Sequence, residues 1–91
     1  MKVEEVIYKS DFTIQVKFND GVVGYFQLNE LVEKGIFQEL KDLNKFSKVY
    51  STGYSIEWSD ELEIDAATIY AEITGKSIGE VIKPKLIYAS N

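Results

Sequence analysis

The chain has 91 residues, of which 45% are hydrophobic and 27% charged, as expected of one compact folded domain. It contains neither Cys nor His, so disulfide bonds, thiol nucleophiles, His-dependent catalytic triads and the commonest transition-metal ligand are excluded. All ten basic residues are Lys and the net charge is −5, which is the wrong sign for general binding to nucleic acids or anionic membranes.

The charge is unevenly distributed along the chain. Residues 1–74 carry seven Lys against 14 acidic residues, whereas residues 75–91 carry three Lys against Glu80. We therefore expect one domain over residues 1–91, with residues 75–91 as a C-terminal arm. The segment Met1-Lys2-Val3-Glu4-Glu5 lacks a signal-peptide pattern, and no segment has the length of a membrane span. These features favour a cytoplasmic protein.

The first third of the sequence predicts three β-strands, over residues 3–9, 12–18 and 22–28. In the second of these, apolar and polar residues alternate, which is typical of a strand with one buried face. Asn19-Asp20-Gly21 follows it, and these residue types tolerate the positive φ angles of tight hairpin turns. Gly24 predicts a bulge or a point of close approach. Together these features predict an antiparallel meander.

The middle of the chain predicts short helical segments and then a hairpin. Asn29 is placed to cap a helical turn over residues 30–33 that ends at Gly35, because Asn favours N-caps and Gly favours helix ends. A second helical stretch follows Gly35. Residues 48–51 and 54–58 then predict two strands, and the second of them would place three side chains on one face: Tyr54, Ile56 and Trp58.

The last third predicts a helix from an N-cap at Asp65 to Gly75. Ser77-Ile78-Gly79-Glu80 then has a capping-box pattern, and Leu86-Ile87-Tyr88 predicts a last short strand or an arm that reaches a neighbour. Because strands and helices segregate along the chain, we predict an α+β fold. Its antiparallel sheet would have about five strands, a meander plus a hairpin, with two or three helices packed on it.

Several segments occur in a recognisable order: Phe18-Asn19-Asp20-Gly21, Tyr25-Phe26-Gln27-Leu28, and Gly35-Ile36-Phe37-Gln38-Glu39-Leu40-Lys41-Asp42. The order continues with Phe46-Ser47-Lys48-Val49, Ile56-Glu57-Trp58, and Ile64-Asp65 leading into Thr68-Ile69-Tyr70. Over residues 3–72 it resembles a family of small bacterial domains known as domain of unknown function 2442. Ser59 and Ala66-Ala67 stand where that family often has Pro.

The resemblance implies an α+β fold in which helices pack on a meander, with no established activity. Relatives tend to be encoded beside other small proteins in bacterial gene pairs, and some continue into a helix-turn-helix domain. The resemblance therefore implies a regulatory or antitoxin-like role.

Four residues are candidates for contact with a partner. Val23 and Tyr25 fall on the outward face of the third predicted strand, so we expect them to be exposed, and exposed apolar patches mark contacts. Leu86 and Tyr88 in the C-terminal arm are the other two.

Trp58 and Tyr70 could form a stacking platform for a ligand. Their spacing instead favours positions in the core, with the indole N–H and the phenol O–H bonded at the edge of the core.

The acidic run at residues 60–65 supports an alternative, a divalent-metal or small-ligand site, because Glu61, Glu63 and Asp65 would share one face of an extended segment. A solvated turn with Asp65 as a helix cap explains the run without a metal, and we favour it.

A second alternative is a small DNA-binding regulator that uses the basic tail. Pro84 would halt a recognition helix there, and no Arg is present to read bases.

The residue pattern predicts no catalytic apparatus, cofactor or metal, so we expect a protein that is not an enzyme. The expected function is protein–protein interaction, with the acidic surface favouring a basic partner. A homodimer is also compatible with the sequence, because an edge strand or the segment Leu86-Ile87-Tyr88 could pair across a two-fold axis. We do not expect binding to nucleic acid or to a membrane.

Overall fold

A computed structural model describes residues 2–59 and 61–75. The first part of the chain forms the predicted antiparallel meander of three strands, in which each strand pairs with the next along the chain. Along each strand, more buried residues alternate with more exposed ones, apart from the adjacent exposed pair Glu4 and Glu5, because only one face of this sheet packs on the core. The strands are β1, Val3–Tyr8, β2, Thr13–Phe18, and β3, Val23–Gln27.

The turn between β1 and β2 has an unusual backbone. Asp11 and Phe12 both lie in the left-handed region, with φ of 55° and 58°. Residues other than Gly are disfavoured in this region because their Cβ atom is crowded. The Lys9 amide donates to the Thr13 carbonyl at 2.9 Å and closes the turn. The ring of Phe12 packs edge-on against Phe46 at 5.4 Å, and this contact holds a bulky residue in that conformation.

Two 3-10 helices and one turn of α-helix follow the meander: Leu31–Glu33, Gly35–Lys41 and α1, Leu43–Phe46. The predicted cap at Asn29 is wrong, because Glu30 precedes the first of these helices and no side chain caps it. Asp42 is the residue that caps α1, since its carboxylate accepts a hydrogen bond from the Asn44 amide at 2.9 Å. Both predicted helical segments are present, but the second is divided into a 3-10 helix and a separate α-helical turn.

The second half of the chain forms a separate three-stranded sheet, in which each strand again pairs with the next along the chain. The prediction of one sheet of about five strands is therefore wrong: the described residues form six strands in two antiparallel sheets. The additional strand arises from the acidic run, where Leu62 is buried while Glu63 and Asp65 are exposed. The strands are β4, Tyr50–Ser51, β5, Ser55–Ser59, and β6, Leu62–Asp65.

The two sheets meet at the start of β1. The Val3 amide donates to the Gly53 carbonyl at 2.7 Å, and the Ser51 hydroxyl donates to the Val3 carbonyl at 3.2 Å. Tyr54 is 66% exposed and carries Lys2 over its ring, so the prediction that it shares a core face with Ile56 is wrong. It precedes β5 and lies in the turn between β4 and β5.

The helix α2, Ala66–Thr74, ends at Gly75 with φ of 74°, as predicted. It crosses β3 at Gly24, where an added Cβ would collide with the side chain of Ile73. The prediction of close approach at Gly24 is confirmed, and β2 and β3 pair through this point without a bulge. The contact positions α2 beside β3.

The core lies between the two sheets and the helices. Its largest fully buried side chains come from both halves of the chain: Phe18, Phe46, Ile14, Leu28, Leu40, Ile56, Ile69, Val16 and Val32. No helix among the described residues is both long and apolar enough to cross a membrane. The predictions for the C-terminal arm lie outside the described residues.

Candidate functional site

The outward face of the meander carries exposed apolar residues. Ile7, Gln15 and Tyr25 align in one row across β1, β2 and β3. Lys17 and Val23 are paired in the neighbouring row. Tyr25 is 62% exposed, Val23 48% and Ile7 40%. We call these five residues the outer face.

The predicted exposure of Val23 and Tyr25 is confirmed, and it follows from strand periodicity. Their neighbour Gly24 faces inward against α2, so the residues on either side of it must face outward. Their role as partner contacts stays a prediction. The other two predicted contact residues, Leu86 and Tyr88, lie outside the described residues.

A groove runs along β3 at the edge of the meander, between that strand, the first 3-10 helix, β6 and α2. Its two lobes have volumes of about 410 Å³ and 520 Å³, and both are lined by Gln27, Glu30 and Glu72. Tyr25 lines the smaller lobe. The larger lobe adds several residues, among them Glu63, Asp65, Lys34, Phe37 and Thr68. We call this feature the acidic groove, after its Glu30, Glu63, Asp65 and Glu72 carboxylates.

The acidic run is largely a strand: Leu62–Asp65 form β6, and Glu61 lies in the turn before it. Glu63 and Asp65 are exposed along β6, and Asp65 holds the N-cap position of α2 without a side-chain hydrogen bond to the helix. Within residues 2–59 and 61–75, no group of three acidic side chains is arranged to hold a metal ion. The run contributes Glu63 and Asp65 to the acidic groove.

Trp58 and Tyr70 pack against the core, as predicted, and each donates a hydrogen bond at its edge. The Trp58 indole donates to the Phe46 carbonyl at 3.0 Å, and its ring lies 5.8 Å from that of Phe46. The Tyr70 hydroxyl donates to the Asp20 carboxylate at 2.6 Å. Both side chains are thus structural and do not offer a stacking platform.

The contact between Tyr70 and Asp20 shifts the pKa values of both groups. The Tyr70 hydroxyl, with help from the Val22 amide, stabilises the charged carboxylate and lowers the pKa of Asp20. The same hydrogen bond, together with partial desolvation, raises the pKa of Tyr70. The pair joins the β2–β3 turn to α2 and thereby holds the helix that forms one wall of the acidic groove.

A cluster of hydroxyl groups lies between β4 and β5. The Ser55 hydroxyl is 2.8 Å from a Glu57 carboxylate oxygen and 2.7 Å from the Thr52 hydroxyl. Thr52 in turn accepts from the Ser55 amide at 3.1 Å. Ser55 and Glu57 are residue types that can form a nucleophile–base pair, but their contacts here are those of a closed turn whose buried hydroxyl is satisfied.

Sequence reasoning missed the acidic groove. Glu30 and Glu72 are far apart in the chain, and each has the appearance of an ordinary surface charge when taken alone. The available signal was Gly24, because a glycine that permits close approach indicates that another element crosses the strand at that point. Combined with the apolar stripe of the last helix, that signal would have placed Glu72 beside β3.

One family model matches residues 3–75, and its description is protein of unknown function (DUF2442). No curated protein and no solved structure matches the chain.

Proposed function

The chain belongs to the family described as protein of unknown function (DUF2442), and from that premise we propose that it is a non-catalytic protein–protein interaction module. It acts in the cytoplasm as the regulatory or antitoxin-like member of a gene pair. Its partner is a basic protein, which it contacts through β3 and the residues on either side of that strand.

The observation that carries this proposal is the exposure of Tyr25 and Val23 on a strand at the edge of a sheet. Tyrosine is enriched at protein interfaces because its ring buries much apolar area while its hydroxyl stays hydrated or bonded. Here two such apolar side chains lie together with Ile7 on one face. A patch of this kind gains free energy when a partner covers it.

Charge supports a basic partner. Residues 1–74 have a net charge of −7, and the acidic groove lies directly beside the apolar pair. Complementary charge accelerates association and disfavours wrong partners. Binding should therefore weaken as salt is added, because screening reduces the attraction between exposed charges.

The test is co-purification of the tagged chain, expressed together with the products of its neighbouring genes. We expect a stoichiometric basic partner at moderate salt. Tyr25→Ala should reduce its recovery, whereas the matched variant Tyr54→Ala, at a tyrosine of similar exposure in the turn between β4 and β5, should not. A chain that elutes without a protein partner, or a partner lost equally from both variants, would contradict the proposal.

A further inference from the structure

The edge of β3 presents backbone groups that have no partner among the described residues. The Phe18 amide donates to the Val22 carbonyl, and the Leu28 amide donates to the Phe12 carbonyl, both at 2.8 Å. In an antiparallel pair, bonded positions alternate with non-bonded ones. Gly24 and Phe26 therefore direct their N–H and C=O groups toward β2, as do the Val22 carbonyl and the Leu28 amide.

The odd-numbered residues of β3, which are Val23, Tyr25 and Gln27, direct their N–H and C=O groups away from the sheet. Within residues 2–59 and 61–75, no hydrogen bond reaches these groups. An exposed row of this kind is a template for another strand. We call it the open edge of β3.

The acidic groove borders this open edge on the inner side. Gln27 belongs to both features, and Glu30 and Glu72 line both lobes of the groove. The three ion pairs found among the described residues lie elsewhere, at Lys17–Glu4, Lys41–Glu33 and Lys45–Glu39. Glu30 and Glu72 are thus available to pair with cations brought by a partner.

We propose that the open edge of β3 binds an extended basic segment of a partner protein by strand addition. The inference rests on the interaction function proposed above and specifies its mode. The segment adds a fourth strand to the meander, with its backbone bonded to the three odd-numbered residues. Backbone bonding supplies affinity, and alternate side chains supply specificity.

The two sides of the added strand meet different surroundings. Side chains on the outer side lie beside Val23 and Tyr25, which favour apolar residues. Side chains on the inner side lie toward Glu30 and Glu72, which favour Lys or Arg. The structure thus selects a segment in which apolar and basic residues alternate.

Charge distinguishes this occupant from a second copy of the chain. Two copies joined through their β3 edges would each bring Glu30 and Glu72 to the same junction, where like charges repel. A basic segment neutralises these carboxylates instead. The observations therefore favour a heterologous partner.

The test uses the full-length chain and a labelled peptide of roughly seven alternating Lys and Val residues, long enough to pair with all of β3. The control peptide has Glu in place of each Lys. We expect the Lys peptide to bind, as measured by fluorescence anisotropy, and the Glu peptide not to bind. Equal binding of the two peptides, or no binding of the Lys peptide up to roughly 1 mM, overturns the proposal.

The backbone contribution is isolated by Tyr25→Pro against Tyr25→Ala. Both variants remove the ring, but only Pro removes the outward N–H, and an edge strand tolerates Pro at such a position because no ladder bond is lost. We expect the Pro variant to bind the Lys peptide at least about fivefold more weakly than the Ala variant. Equal affinity of the two variants overturns strand addition.

Peptides with alternate N-methyl groups test the same backbone hydrogen bonds with the unmodified protein. N-methylation of the Lys positions and of the Val positions blocks opposite edges of the peptide strand. We expect one of these two peptides to lose binding and the other to keep it. Loss in both, or in neither, overturns strand addition even if Tyr25→Pro fails to fold.

These outcomes separate the mode of binding from the function. A stoichiometric partner whose recovery is reduced to the same extent by Tyr25→Pro as by Tyr25→Ala would leave the interaction module intact and overturn strand addition. If no partner co-purifies but the Lys peptide binds specifically, strand addition would stand and the proposal that a neighbouring gene encodes the partner would be wrong.

Discussion

The Tyr70 hydroxyl donates a 2.6 Å hydrogen bond to the Asp20 carboxylate, across a sequence separation of 50 residues. The bond joins the tight turn after β2 to the middle of α2. The ring of Tyr70 also packs edge-on against Phe18, with 4.9 Å between the centroids. One side chain therefore fixes the helix that crosses β3 and forms a wall of the acidic groove.

We predict that the stabilisation supplied by this pair depends on pH at both ends of the scale. The folded-state pKa of Asp20 lies below its ordinary value of 3.8, so its contribution is present above that value and is lost as the pH falls through the folded-state pKa. The pKa of Tyr70 lies above its ordinary value of 10.0. Its contribution is therefore present below that value and is lost as the pH rises through the folded-state pKa.

The measurement is the melting temperature of the wild type and of Tyr70→Phe as a function of pH. The difference between the two proteins should be constant near neutral pH and should shrink in both acid and alkali. A difference that stays the same across the whole range would show that the hydrogen bond does not stabilise the fold.

Close approach at Gly24 gives a second prediction. Gly24→Ala should lower the free energy of unfolding by about 1–3 kcal/mol, because the new methyl group collides with the Ile73 side chain. Ile73→Ala removes the colliding atoms. In urea unfolding, Gly24→Ala should therefore lower the free energy of unfolding by less in the Ile73→Ala background than in the wild type. Equal costs in the two backgrounds would contradict the assignment of this contact.

The left-handed backbone at Asp11 gives a third prediction. Asp11 has a φ of 55°, a conformation that Gly adopts freely and that a residue with a Cβ adopts at a cost. The free energy of unfolding should therefore be about 1–2 kcal/mol larger for Asp11→Gly than for Asp11→Ala. Both substitutions remove the same charge, so thermal unfolding of this matched pair isolates the backbone effect. Equal stability of the two variants would contradict the turn conformation.

The meander was predictable because each of its signals is local. Alternation along β2 determines which side chains enter the core, and Asn19-Asp20-Gly21 determines where the chain turns. Exposure of Val23 and Tyr25 follows from the same alternation. These features need no information about distant parts of the chain.

The division into two sheets was not predictable from local patterns. In the run from Leu62 to Asp65, Leu62 and Ile64 alternate with Glu63 and Asp65, but the acidic composition favoured a solvated turn over the extended segment that this alternation allows. The pairing of β6 with β5 depends on tertiary contacts, and these override the weak strand propensity of acidic residues. Which strands share a sheet is likewise a property of long-range pairing.

The candidate site was predicted in part. Its apolar side chains were identified from alternation, whereas the acidic groove depends on how α2 crosses β3. That crossing brings Glu72 beside Gln27 and Glu30. The position of α2 is set by Gly24, Ile73 and the hydrogen bond of Tyr70; Gly24 and the apolar stripe that contains Ile73 gave signals in the sequence, whereas the partner of Tyr70 did not.

The central claim is that β3 has an open edge, and amide hydrogen exchange of the full-length chain tests it most directly. The amides of Gly24 and Phe26 point toward β2 and should exchange slowly, whereas those of Val23, Tyr25 and Gln27 point outward and should exchange at least about tenfold faster. This alternation is the result that the account predicts. Slow exchange at all five amides would show that the edge is already covered, and would contradict the account.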